Sequence, residues 1–438
     1  MRAPRAAVNV PVDHREPDGE RLSMAVARRT AGDPAARVGT LVYLPAGPGS
    51  SGVQAVTDDA IFRLVFPPEV ARRFDIVGFD PRGVGRSNPV VCDPAVVARL
   101  QQLPEPADQA GFDRLLATQA DVGADCRRRT GPVFDHLDSN DIARDVDALR
   151  AALGESTINL YGLSYGTVHG QMYAERFPDR IRTLILDAVF DHSVDSDTFA
   201  RTGAVAAQES FGQFVAWCDR TPDCALHGTD VRATVAALFT RAEQGSLPDP
   251  DDPARPLTPS GLTSRIVSPL TRPDLPGVAA DIARLSGGTA GQPRTVAAGE
   301  PIRLPIYLSC ADNVNRTRSF AAAQRLREQS RRLAPDMRES AFEIASLCIN
   351  PPVPATNPQR RLHAPAAPPV LVLNARYDAS TPHAGAVRVA RQLPRATLLT
   401  YDGMGHGAAT RTPCTRDAVL RYLTDRVLPS PGAHCPAG

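Results

Sequence analysis

The chain is 438 residues long, 42% hydrophobic and 22% charged, enough for one large core or a core domain carrying a sizeable insertion. Its formal net charge is +1, its 49 basic residues are all arginine, and no basic run occurs, which argues against nucleic acid or an anionic membrane as a partner. No stretch approaches the roughly 18 uninterrupted apolar residues that span a bilayer, and the opening MRAPRAAVNVPVDHREPDGE has no apolar leader region.

In chain order, residues 8–29 alternate enough (VNVPVD, LSMAVARR) to predict an antiparallel ribbon at a sheet edge. Short β-branched runs bounded by turn residues follow: GTLVYLP (39–45), FDIVGFD (74–80), TINLYG (157–162), RTLILDA (182–188), PPVLVLNA (368–375) and ATLLTYD (396–402). They read as strands buried on both faces. SNDIARDVDALRAALG (139–154) reads as a helix, with Ser139 and Asn140 as cap candidates, acids in its early turns and Gly154 at its end. Strand and helix alternate, which predicts an α/β fold with a mostly parallel sheet covered on both sides.

From about 191 to 362 that rhythm stops, and helix-like segments are broken by GSLPDPDDPARPLTPSG (245–261) and LTRPDLPG (270–277). We expect a mainly helical cap at 191–362, inserted between the sixth and seventh sheet strands. The core is then expected in two parts, 1–190 and 363–438. Eight cysteines are present with no CxxC pair, so metal-ligand spacing is missing. Pairing of chain neighbours, 92 with 126, 218 with 224, 310 with 348 and 414 with 435, is the simplest of many arrangements and implies an oxidising compartment. Eight reduced, buried thiols in a cytoplasmic protein are the alternative.

Gly162-Leu163-Ser164-Tyr165-Gly166 follows a predicted strand and precedes the helical pattern TVHGQMYAERFP. That context makes the motif a nucleophile elbow, with Ser164 on a strained turn and the amide of Tyr165 facing any negative charge beside it. The loop LPAGPGSSG (44–52) offers the Gly47 amide as a second oxyanion donor, since Pro48 has none. Asp378 leaves the seventh strand and His406 the eighth, giving the chain order Ser, Asp, His that accompanies a nucleophile elbow. His406 is expected to take the Ser164 proton and Asp378 to hold the imidazole. His169, on the same predicted helix as the serine, is expected to pack instead, and Asp402 is too near His406 in sequence to serve as its acid. No metal or organic cofactor is expected.

Together with AGPGSSG, INLYGLSYGT, YAERFPDRIRTLILDAVFD, WCDRTPDC, LSCAD, PVLVLNARYDASTP and GMGHG, these features resemble the secreted tripeptidyl aminopeptidases of actinomycetes and their prolyl aminopeptidase relatives. The resemblance runs nearly end to end and is thinnest between about 230 and 300. It implies an α/β-hydrolase fold with a helical cap, release of short peptides from free N-termini through an acyl-enzyme, and export with disulfides. Ser164, Asp378 and His406 fall on its triad, and Gly47 and Tyr165 on its oxyanion hole. Asp80-Pro81-Arg82-Gly83 matches a further block, which we read as structural.

Two departures concern substrate choice: Ala46 stands where glycine is common, and INPPVP after Cys348 replaces an expected tryptophan segment, leaving Trp217 alone. An aminopeptidase needs a carboxylate for the substrate ammonium. Asp191, Asp195, Asp197 and Asp312 are the candidates. The expected partner is a peptide or small-molecule acyl substrate, and a monomer is expected. An esterase, lactonase or amidase acting on a small metabolite is the alternative, and a binding protein on a hydrolase scaffold the more remote one.

Overall fold

A computed structural model describes residues 5–251, 256–287, 302–315, 317–338, 348–349 and 354–437. Part of the segment after Cys348, residues 350–353, lies outside them. Among the described residues eleven strands form: β1 (Arg5–Pro11), β2 (Arg21–Arg29), β3 (Gly39–Leu44), β4 (Phe74–Phe79), β5 (Val91–Cys92), β6 (Ile158–Leu163), β7 (Ile181–Asp187), β8 (Ile302–Arg303), β9 (Val370–Tyr377), β10 (Ala396–Met404) and β11 (His434–Cys435). Nine of them make one sheet in the order β1-β2-β4-β3-β6-β7-β9-β10-β11. The β1–β2 ribbon is antiparallel and sits at the edge, β2 meets β4 antiparallel, and every later pairing is parallel.

Alternation within the central strands explains why both faces are covered. Val42, Val77, Leu160, Leu184 and Val372 join one cluster with Ile142, Val146 and Met172 from the helices Ser139–Ala152 and Gly166–Arg176. Their chain neighbours Leu41, Ile76, Tyr161, Ile185 and Leu371 point the other way, into a cluster with Phe62, Val419 and Leu423. Each strand therefore buries successive side chains on opposite faces, and each full burial stabilises by about 1.5–3 kcal/mol. This is why the strands read as unbroken apolar runs.

Between β7 and β9 the chain adds the helices Ser196–Arg220, Val231–Glu243, Pro259–Leu270 and Leu275–Gly287. They share a cluster of their own, built on Phe211, Phe214, Leu238, Ile266 and Ile282. The pair β5–β8, which sequence periodicity did not reveal, links a residue before the insertion to one within it, Val91 facing Arg303. β11 was missed as well. At two residues it carries no period and is held beside β10 with help from the Cys414–Cys435 disulfide.

All four neighbour pairings of cysteine are formed, Cys92–Cys126, Cys218–Cys224, Cys310–Cys348 and Cys414–Cys435. Arg82 is fully buried, its guanidinium forked on Asp145 at 2.7 Å while donating to the carbonyls of Pro11, Val12 and His136. It pins the edge ribbon to the helix Ser139–Ala152. That helix is capped by Asp138, whose carboxylate accepts from Asn140 and Asp141, and not by Ser139 or Asn140 as the sequence suggested. Ser139 instead donates to Asp312.

Candidate active site

β6 ends at Leu163 and the helix Gly166–Arg176 begins at once, so the connecting turn must be abrupt. Ser164 absorbs the bend with φ +57°, a conformation that costs an L-residue about 1–3 kcal/mol and persists only where its surroundings hold it. Its N–H donates to the carbonyl of Asp187 at 2.9 Å, and its carbonyl accepts from Thr167. Gly166 is required by space: a Cβ there would lie 2.1 Å from the carbonyl oxygen of Leu44. The absent side chain lets the loop leaving β3 close against the elbow. That loop carries Gly47, at φ +131°.

The loop is held from below. Ser51 caps the helix Gly52–Thr57 by accepting from Gln54, and donates in turn to buried Asp80, which also accepts from Val53 at 3.1 Å. Neither the Gly47 nor the Tyr165 amide donates to a described protein acceptor. The Tyr165 amide stands at the start of the helix Gly166–Arg176, whose partial positive charge favours an anion.

Asp378 and His406 meet. Nδ1 of His406 lies 2.9 Å from Oδ2 of Asp378, and the carboxylate is fully buried. Three further groups orient that carboxylate: the amides of Ser380 at 2.8 Å and Thr381 at 3.0 Å, and the Thr381 hydroxyl at 2.9 Å. Burial would lower the pKa of His406, but the Asp378 charge and hydrogen bond outweigh it, so the net displacement is upward. The Ser164 hydroxyl is not hydrogen-bonded to His406 here; such contacts commonly tighten only around substrate.

Asp187, which sequence reading passed over, joins the serine turn to the histidine loop. Its backbone carbonyl accepts from Ser164 while its carboxylate accepts from the amides of Ala408 at 2.8 Å and Ala409 at 3.0 Å and from the Tyr161 hydroxyl at 3.0 Å. Burial raises its pKa, and those three donors pull the other way. Its only sequence signal was an acid ending a buried apolar strand. Thr381 had a plainer one, the turn-forming DASTP.

The rival bases and acids are occupied elsewhere. His169 is buried against Ser139 and its pKa falls to about 3 by desolvation, so it stays neutral. Asp402 pairs with Arg376 and His434. The carboxylates nominated for an ammonium do not gather around the serine, and none of them lines the cavity that His406 faces. Asp191 is paired with Arg388 at 2.6 Å and turned onto Ser193. Asp195 caps the helix Ser196–Arg220 by accepting from Thr198, and Asp197 is exposed in its first turn. Asp312 lies fully buried behind Tyr165, accepting from its hydroxyl at 2.6 Å, from Ser139 and from Asn357. An ammonium has no access to it.

A sequence profile described as alpha/beta hydrolase fold matches residues 39–409. The chain belongs to the α/β-hydrolases. This α/β-hydrolase is 31% identical, over 97% of its own length and 86% of the relative's, to "Serine protease Hip1" of Mycobacterium tuberculosis. It is 29% identical to "Tripeptidyl aminopeptidase" of Streptomyces coelicolor, covering 95% of this chain and 80% of that one. It is also 31% identical to "Carboxylesterase B" of Mycobacterium tuberculosis, over 98% of this chain and 86% of that protein.

Proposed function

We propose that this α/β-hydrolase is a serine peptidase that cleaves short peptides from free N-termini through an acyl-enzyme on Ser164. The observation that carries the chemistry is the contact of His406 with fully buried Asp378 at the same sheet edge as a serine held at positive φ. In this reading Ser164 Oγ bonds to the acyl carbon as its proton passes to His406 Nε2. The oxyanion takes the amides of Gly47 and Tyr165, and the protonated imidazole gives its proton to the leaving amine. Water then attacks the ester, surrendering a proton to the same nitrogen, and the imidazolium returns that proton to Ser164 Oγ as the acyl–oxygen bond breaks and the acid product leaves.

Peptide hydrolysis is supported by the similarity to a serine protease and a tripeptidyl aminopeptidase over nearly the whole chain. The helical insertion at 191–362 acts as the cap that selects substrate, and the four disulfides support a protein that works outside the cytoplasm. Among the described residues no helix is long and apolar enough to cross a membrane. A second reading, an esterase or amidase of a small acyl compound, is favoured by one observation: the cavity beside His406 has no described carboxylate free to hold an ammonium.

Ser164→Ala tests the chemistry. It is expected to abolish labelling by a fluorophosphonate probe and to cut kcat about 10⁶-fold. Retention of wild-type turnover would remove Ser164 from the mechanism. Comparing a tripeptide anilide with its N-acetylated form separates the readings, because an exopeptidase loses most activity on acetylation and an esterase does not.

A further inference from the structure

The cavity beside His406 has a volume of about 800 Å³, room for a short peptide segment. Its charged wall is cationic. Arg272, Arg303 and Arg411 all line it, and the single described carboxylate on that wall, Asp187, is consumed by Ala408, Ala409 and Tyr161.

Each arginine arrives from a different element, anchored close to the catalytic loops. The His406 N–H donates to the carbonyl of Thr271 at 2.7 Å, which sets Arg272 one residue from the histidine's own backbone contact. Arg411 donates to the carbonyls of Gly407 at 2.9 Å and His406 at 3.2 Å. Arg303 lies two residues before Pro305, and Pro305 packs so closely on the oxyanion loop that a Cβ on Gly49 would come within 2.2 Å of it.

Elsewhere in this chain arginines are repeatedly matched with acids, as in Arg388–Asp191, Arg376–Asp402 and Arg360–Glu175. In the cavity they are not. Among the described residues Arg272 and Arg303 have no ion-pair partner, and the acceptors of Arg411 are neutral carbonyls. Guanidinium forks match carboxylates in shape as well as charge, and a cleft lined by one sign concentrates the opposite one. Ile61 and Leu64 on the same wall supply an apolar surface for the rest of the ligand.

We propose that this cavity is a carboxylate-reading subsite, and that the enzyme prefers short acidic peptides to neutral or basic ones. The inference rests on Ser164 being the nucleophile. The carboxylate has two sources, an Asp or Glu side chain or the free C-terminus of a short peptide, and the same arginines serve either.

The test measures kcat/KM of the full chain on two matched pairs: tripeptide anilides carrying Glu or Gln, and short free peptides against their C-terminal amides. At least one acid-to-neutral ratio is expected to reach about tenfold or more, the scale of a charge-assisted hydrogen bond. A high first ratio assigns the side chain as the source and a high second ratio the C-terminus. Arg272→Gln and Arg303→Gln should each pull that ratio towards one, and added salt should lower it. Ratios at or below one in both pairs, on wild-type enzyme whose Ser164 is labelled by a neutral fluorophosphonate, would overturn the subsite. Failure of the wild type to label would instead overturn the nucleophile assignment.

Discussion

Asp378 does two jobs for His406, and both can be separated by substitution. It fixes the ring through Nδ1, and its charge keeps the imidazole pKa above the ordinary 6.5 despite burial. In the proposed mechanism His406 acts as the neutral ring, so activity should fall as acid carries the solution below that raised pKa, placing the acid limb of the kcat/KM profile above 6.5. Asp378→Asn should cost about 10⁴ in kcat by favouring the wrong tautomer. It should also move the acid limb to lower pH, because burial is then the dominant influence left; a limb that stays in place would contradict the pairing. Asp187→Ala would strand the amides of Ala408 and Ala409, each at about 1–3 kcal/mol. We expect lowered kcat, since the histidine loop that those amides anchor is disturbed.

Elements are held in register by a few buried polar contacts whose partners no periodicity reveals. The edge ribbon, the turn after β4 and the helix Ser139–Ala152 converge on the Arg82–Asp145 pair, both side chains fully buried. Asp145→Ala removes the carboxylate forked on the guanidinium, leaving only the more distant Asp141 at 3.8 Å, and should destabilise by about 3–5 kcal/mol in urea unfolding. Burial would raise the Asp145 pKa, but Arg82 overrides it and the folded value falls below the ordinary 3.8. The contribution is therefore complete above that value and lost as pH falls below it, so the wild type should lose more stability on acidification than Asp145→Ala does. The apolar runs told where strands lie because each residue of a central strand meets a packed face. They were silent on Asp138 as the helix cap, since the choice between neighbouring cap residues was made by Asp312 drawing Ser139 away.

At the scale of the molecule, four disulfides staple the sheet, its small companion sheet and the helical insertion. Cys310–Cys348 spans 38 residues and Cys218–Cys224 only 6. Loop-closure entropy predicts that Cys310→Ser with Cys348→Ser lowers the melting temperature more than the 218/224 double replacement, with about 2–4 kcal/mol at stake for the longer loop. Chain order, strand positions, the elbow and the later Asp and His were legible in the sequence, because each depends on local pattern: apolar period, turn chemistry and the spacing of loops after strands. Neighbour pairing of the cysteines was the simplest of many arrangements the sequence left open, and it is the one that formed. The ammonium-binding acids were not. Whether an aspartate faces substrate or a buried guanidinium depends on residues far along the chain, and only the folded arrangement showed Asp191 on Arg388, Asp312 behind Tyr165 and three arginines around one cavity. Local free energies choose the elements, whereas the net charge of a site is a sum over segments that meet only after folding.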